Sequence, residues 1–198
     1  VSFVNADLSV GIVFDEAPTL PPNTALDEFE SVQGLSGTRF NDVLKGSNED
    51  AASMLPLAQG GSTGYLGSGL AAQGIAMISG LQAVLGAGVN FFGAGDIILG
   101  GDASDTIMGQ GGNDIIDGDK WLDVQIGVFA ASDTTHTGTP IRLVNSMKQL
   151  TADVFNGLIN PGQLSIVRTI RTDTTAGDVD TAVFQGNRSE YTFSATAD

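Results

Sequence analysis

Aspartate recurs every nine residues through the middle of the chain, at Asp96, Asp105, Asp114 and Asp123. Carboxylates at a fixed period act together only if the backbone brings them into register. Stretches 91–99, 100–108 and 109–117 each carry aspartate sixth and isoleucine (Ile98, Ile107, Ile116) eighth. An extended run of about three residues presents one large apolar side chain to a core. The rest of each nonapeptide must turn the chain back, which glycine permits. Two nonapeptides then make one coil of a flat, two-sheeted solenoid, so residues eighteen apart stack, Asp96 over Asp114 and Asp105 over Asp123. Stacked carboxylates repel, and a hard cation that takes about six to eight oxygens turns the repulsion into cohesion. Calcium suits such turns better than magnesium, and zinc lacks ligands in a chain with no cysteine and one histidine.

The expected ligand set is Asp96, Asp105, Asp114 and Asp123, with Asn113 and turn carbonyls from residues such as Gly93, Gly100, Asp102, Gly109 and Gly111. The upstream nonapeptide-like run 37–46 adds Asp42 at position six and Leu44 at position eight. A single coil needs a neighbour to complete its sites, and the 91–117 block is a candidate neighbour if the intervening residues loop out. Asp102, Asp117 and Asp119 either contribute oxygens or are solvated turn residues. The competing reading of the whole pattern is a glycine-rich loop with scattered aspartates, or a metal-free solenoid. Ala94 and Ala103 stand where the period prefers glycine, Gln110 replaces a second glycine, and Lys120, Trp121 and Gln125 break the fourth repeat. The series is therefore expected to end there, with Trp121 capping its core. Repeat number and the need for two coils per site suggest about two to four ions.

The run GGDASDTIMGQGGNDIID matches the nonapeptide G-G-x-G-x-D-x-U-x and resembles the repeats-in-toxin, or hemolysin-type, calcium-binding family. The resemblance implies a parallel β-roll and type I secretion of a chain that folds outside the cell, where calcium is plentiful. The strings DGDKWLDVQI, INPGQLSIVRTI and GDVDTAVFQGNRSEYTF look like the region that follows the catalytic domain in bacterial animal-type haem peroxidases with such repeats. That narrower resemblance implies an accessory module whose partners are calcium ions and the catalytic domain of a parent protein.

The elements that must position these residues read as a mainly β chain, a parallel β-roll with appended α-helices. The expected organisation is solenoid strands over 1–50 (apolar alternation in 10–14, then Phe29 and Val32), a helical excursion over 51–90, the calcium-binding nonapeptides over 91–126, and a helical and β-strand cap over 127–198. Within these, the apolar spacing of Ile75, Ile78, Leu81, Val84 and Leu85 predicts a helix over 72–85 that packs against the solenoid. A second is expected from a cap at Asn145 or Ser146 to about Leu158, and a third from Pro161 to about Ile170. Strands are expected at 181–184 and 191–194. Between 173 and 180 the chain reads as a polar loop, whose Asp178 and Asp180 fit a solvated turn better than an ion site.

Twenty-three acidic against eight basic residues give a net charge of −15. Such a charge repels phosphates and argues against nucleic acid, while favouring divalent cations and an expanded metal-free chain. No apolar run is long enough for a membrane span. The absence of cysteine excludes disulfides. Starting at Val1 without a signal-like segment, the chain is expected to be an excised or processed piece of a secreted or cell-surface protein.

Catalysis by this piece is not expected. Its one histidine, His136, lies in a polar stretch, and haem chemistry needs more than one such group. No G-x-S-x-G elbow frames a nucleophile, and no Asp-Pro bond offers a self-cleavage site. Two alternatives to a calcium-dependent folding module are an adhesion or carbohydrate-binding module using Trp121, Tyr65 and Tyr191, and an accessory part that shapes access to a larger enzyme.

Overall fold

The computed structural model describes residues 3–9, 32–48, 69–93, 95–175 and 177–195. Among these the chain is mainly β, with parallel sheets and a few short helices. The strands in chain order are β1 (Asn5–Asp7), β2 (Gly34–Ser36), β3 (Val43–Lys45), β4 (Leu70–Ala71), β5 (Phe91–Phe92), β6 (Ile97–Leu99), β7 (Thr106–Met108), β8 (Ile115–Asp117), β9 (Lys120–Val128), β10 (Arg142–Val144), β11 (Leu164–Thr172) and β12 (Thr181–Ala182). The α-helices are α1 (Ala72–Ala76), α2 (Leu81–Leu85) and α3 (Thr151–Phe155). Strands expected over 10–14 and at Phe29, and the segment 51–68, lie outside the described residues.

Two compact units share the chain. The first comprises 1–69, 93–119 and 173–198, and the second 70–92 and 120–172. In the first, β1, β3, β7 and β12 form one parallel sheet in that order, and β2, β6 and β8 form another. The sheet assignment therefore alternates along the nonapeptides, from β6 to β7 to β8. Register keeps the eighth positions level: Ala6, Leu44, Ile107 and Ala182 pair across one sheet, and Leu35, Ile98 and Ile116 across the other. All of these but the exposed Ala182 belong to the core, in which Leu44, Ile98 and Ile107 are buried and Val4, Ala6, Leu35 and Ile116 pack on them. The middle side chain of a three-residue strand faces the core, so one apolar residue per nonapeptide can supply it.

Turn positions two and four of the repeat adopt left-handed backbone. Gly101 (φ 115°) and Ala103 (φ 73°) do so in one turn, Gln110 (φ 76°) and Gly112 (φ 103°) in the next. Alanine and glutamine are strained there by about 1–2 kcal/mol, part of which glycine's greater unfolded-state freedom offsets. Ala103→Gly and Gln110→Gly are each expected to stabilise the protein by about 0.5–1 kcal/mol, measured as a shift of the denaturant midpoint at unchanged slope.

In the second unit β9 is the centre of an antiparallel sheet, flanked by β10 and β11. Val128, Val144 and Leu150 form its core with Ile126, Val154, Ile159 and Leu164 against them. β4 and β5 pair antiparallel around α1 and α2.

Three expected helices are revised. The stretch 161–170 is one 3-10 turn, Pro161–Gln163, closed by a capping box between Asn160 and Gln163, and then β11. Ile166, Val167, Thr169 and Ile170 are β-branched and gain a nine-residue partner in β9. The 72–85 helix is broken into α1 and α2, because Gly80 turns left-handed (φ 87°) and Ser79 bridges to Thr169. The 146–158 helix is a 3-10 turn, Met147–Gln149, followed by α3, which ends before Gly157 (φ 71°). Of the two late strands only Thr181–Ala182 forms; 191–194 follows a 3-10 turn, Arg188–Glu190, without pairing.

Candidate metal centre

The sixth position of each repeat directly precedes its strand, so in-register strands carry their aspartates into a row. In the sheet of β3 and β7 the backbone N–H at this position donates to the aspartate of the next strand: Val4 to Asp42 Oδ1 (2.6 Å), Asp42 to Asp105 Oδ1 (2.7 Å) and Asp105 to Asp180 Oδ1 (2.9 Å). In the other sheet Asp96 N–H donates to Asp114 Oδ1 at 2.8 Å. Asp42, Asp96 and Asp105 are buried, each with 1% exposure or less. The structure thus brings together Asp42 with Asp105, and Asp96 with Asp114.

Asp123 stands elsewhere. It lies on β9 in the second unit, ion-paired with Arg171 at 3.2 Å, and Asp180 takes the place beside Asp105 that was expected for it. The fourth repeat lacks the glycines a turn needs, and its alternating 120–128 sequence continues as a long strand. Trp121 is on the same strand, opposite Arg171. The reading of Asp180 as a solvated turn residue is revised: it precedes β12 in the sixth position, in a strand with only Ala182 at position eight, so the two-residue spacing from Asp180 to Ala182 is its one sequence signal.

Glycines let the carboxylates approach the turns. A β-carbon on Gly46 would stand 2.5 Å from Asp96 Oδ2 and 2.5 Å from the Gly109 carbonyl oxygen. On Gly95 it would meet Asp114 Oδ1 at 2.6 Å and the Asn113 carbonyl oxygen at 2.7 Å. At Gly100 it would collide with Asp105 Oδ2 and with the Gly118 carbonyl oxygen, and at Gly37 with the Gly100 carbonyl oxygen. Carboxylate and carbonyl oxygens therefore crowd the same small spaces. Gly109 lies against Asp114 Oδ2, Gly111 donates its N–H to the Ser47 carbonyl at 3.3 Å, and Gly93 directly follows β5. Asp102 donates its N–H to the Thr38 carbonyl, and Asp117 closes β8.

The electrostatics are those of negative charge held out of water. Burial, and after it the neighbouring carboxylates Asp42, Asp180 and Asp178, push Asp105 up to about 6 against the opposing hydrogen bond from Asp42 N–H. Burial also raises Asp96, opposed by hydrogen bonds from Ser47 N–H and hydroxyl. Asp114 is raised by burial, with Asp96 adding repulsion. Asp105 Oδ2 is buried and has no hydrogen-bond partner, a costly state for a carboxylate.

Among the described residues no three Asp, Glu, His or Cys side chains are arranged to hold a metal ion by themselves. A cation here would draw part of its shell from carbonyls, and the donors at hand are all oxygen, which suits a hard ion. The orphaned Asp105 oxygen and the glycine cradles both fit such a group. His136 belongs to the second unit, its Nε2 2.8 Å from the Gly162 carbonyl oxygen and its ring tilted against Phe129. Compared with known proteins, the chain matches no family model, no curated protein and no solved structure.

Proposed function

We propose that the first unit is a calcium-binding β-roll of the repeats-in-toxin kind, a module that folds as it binds calcium and stabilises a larger secreted protein. The observation that carries this reading is the pair of aspartate rows on alternating in-register parallel strands, with the Asp105 carboxylate buried and half unpartnered. Asp42, Asp105 and Asp180 would hold ions with the carbonyls of Gly100 and Gly118. Asp96 and Asp114 would do so with those of Asn113 and Gly109. Calcium supplies positive charge that joins adjacent turns, so that its binding free energy becomes folding free energy. A chain of net charge −15 would stay loose where calcium is scarce and compact where it is plentiful, as export followed by extracellular folding requires. The parent protein could be a haem peroxidase, in which this piece has an accessory rather than a catalytic part.

The test is a calcium titration of the chelated protein followed by far-ultraviolet circular dichroism and calorimetry on one sample. A rise in β signal coupled to binding of several ions is expected. A chain already folded and indifferent to calcium would overturn the reading.

A second reading has one observation in its favour. A cleft of about 650 Å³ beside Asp114 is lined by Gln110, Phe184, Gln185 and Tyr191 among others, rings and amides of the kind that grip a sugar. Calcium-dependent retention on a glycan array would favour this adhesion role.

A further inference from the structure

We propose that the open edge of β8 is a docking site for an extended segment of a partner polypeptide. That segment joins the sheet parallel to β8 and carries an oxygen-bearing side chain, Asp or Asn, two residues before a branched aliphatic one. The site lies within the first unit and goes beyond the calcium reading, since it depends on the parallel ladder and not on a metal. In chain order the strands of this unit alternate between its two sheets: β1, β3, β7 and β12 belong to one, and β2, β6 and β8 to the other. One sheet thus has a strand more than the other, and among the described residues no strand pairs with β8 on the side away from β6. Alternation calls for the next strand on β8, and the chain turns away instead. After β12, Gln185 Nε2 donates to Gln110 Oε1 at 2.9 Å, and Gly186 turns left-handed (φ 91°). The 3-10 turn Arg188–Glu190 then folds the Tyr191 ring back against Phe184, with centroids 5.3 Å apart.

The bonds already made in this sheet identify the groups on its edge. Ile97 N–H donates to the Gln33 carbonyl at 2.7 Å, and one strand further Ile115 N–H donates to the Asp96 carbonyl at 2.8 Å. Gly37 N–H donates to the Leu99 carbonyl and Gly100 N–H to the Asp117 carbonyl, both at 2.8 Å. Successive residues of a strand address opposite neighbours, so 115 and 117 face β6, while Asp114, Ile116 and Gly118 face away from it. An unpaired row of this kind is a template for a further strand. The side chains of the incoming strand are specified by the rung beneath. Asp96 N–H donates to Asp114 Oδ1 at 2.8 Å, whereas Asp114 N–H, the last of its row, has no acceptor among the described residues. An Asp or Asn at the level of Asp114 supplies one. Ile98 pairs level with Ile116, which is only partly buried, so an aliphatic residue two positions later covers it.

The cleft of about 650 Å³ lies at this edge, with Ile116 and Asp114 on one side and Val183, Phe184 and Tyr191 from the chain after β12 on another. Val183 and Phe184 are exposed, and their apolar surface suits an aliphatic side chain better than a charged one. Strand addition draws its affinity from main-chain hydrogen bonds and its selectivity from alternate side chains. A sugar in the same cleft would take water from the backbone groups of 114, 116 and 118 without meeting them at strand spacing, and a displaced but unreplaced hydrogen bond costs binding energy. A polypeptide meets all of them in register.

The experiment adds a blocked peptide with the sequence of residues 109–117, GQGGNDIID, to the whole chain in calcium chloride. Binding is read by anisotropy of a labelled peptide, and amide exchange by NMR. Saturable binding is expected, with exchange slowed at least about tenfold at Ile116 and Gly118 and little changed at Ile115, which already bonds to Asp96. Peptides carrying Asp114→Ala or Ile116→Lys should bind at least about tenfold more weakly. In the protein, Val183→Arg should weaken binding to the same degree, while Phe155→Ala, exposed on the second unit, should leave it unchanged. The two peptide substitutions decide the matter even if Val183→Arg disturbs the fold. No saturable binding, equal binding of all three peptides, or binding without protection at 116 and 118 would overturn the site. So would retention of a glycan without peptide binding, which gives the cleft to a sugar, or self-association abolished by Val183→Arg, which gives the edge to a second copy. None of these outcomes touches the β-roll reading, which the calcium titration tests separately.

Discussion

Ile107→Ala is expected to lower the unfolding free energy by about 2–5 kcal/mol, the range for emptying a filled core site. Ile107 has 1% exposure, sits between Leu44 and Ala182 in its sheet and packs with Ile98 of the other. The cluster around Ile107 is small, with Leu44 and Ile98 as its other buried members, so few side chains can shift to fill the gap. Val124→Ala provides the contrast, since Val124 is 50% exposed on β9 and should shift stability by less than about 0.5 kcal/mol. Denaturant unfolding of both variants at one fixed calcium concentration decides the matter. Equal, small effects would mean that the eighth-position residues do not form a shared core.

That core was legible because the period fixes three things together: the strand, the buried residue and the turn. Leu44, Ile98, Ile107 and Ile116 were all readable at position eight, and the stack of Asp96 on Asp114 follows from the same count. The long-range pairing was legible only in part: the 91–117 block was a candidate neighbour for residues 37–46, but nothing local says that β3 will pair with β7 in particular, 63 residues from Leu44 to Ile107, since strand pairing is decided by which edge is open. β12 is harder still, for Ala182 gives almost no apolar signal. The helical expectation over 161–170 failed for a different reason. Leu164, Val167 and Ile170 fit a helical stripe, and the same run is rich in β-branched residues that a long partner strand can use. Periodicity could not choose between them, and the tertiary partner did.

Calcium should reverse the pH dependence of this protein's stability, and that reversal is the second large expected effect. Burial holds the Asp105 carboxyl up at about 6, against 3.8 for an ordinary exposed aspartate. Between those values the folded state holds more proton than the unfolded state, so metal-free stability falls as pH rises through that window and is greatest below it. Asp96 and Asp114, raised chiefly by burial, add to the same trend. Asp133 and Asp173, held low by hydrogen bonds from Gly138 and from the Thr175 hydroxyl respectively, oppose it weakly because both lie near solvent. Allowing for solvent screening, the net loss from pH 4.5 to 7 is on the order of 2 kcal/mol. With calcium the ligands must be deprotonated, so the gain is largest above pH 6 and amounts to about 2.7 kcal/mol per site at a hundredfold excess over Kd. Thermal unfolding at pH 4.5, 6 and 7.5, with chelator and with calcium, should therefore give a Tm that falls with pH in the first series and rises in the second. A metal-free Tm that climbs with pH would show that the buried carboxylates are already satisfied by the protein, leaving calcium no charge to neutralise.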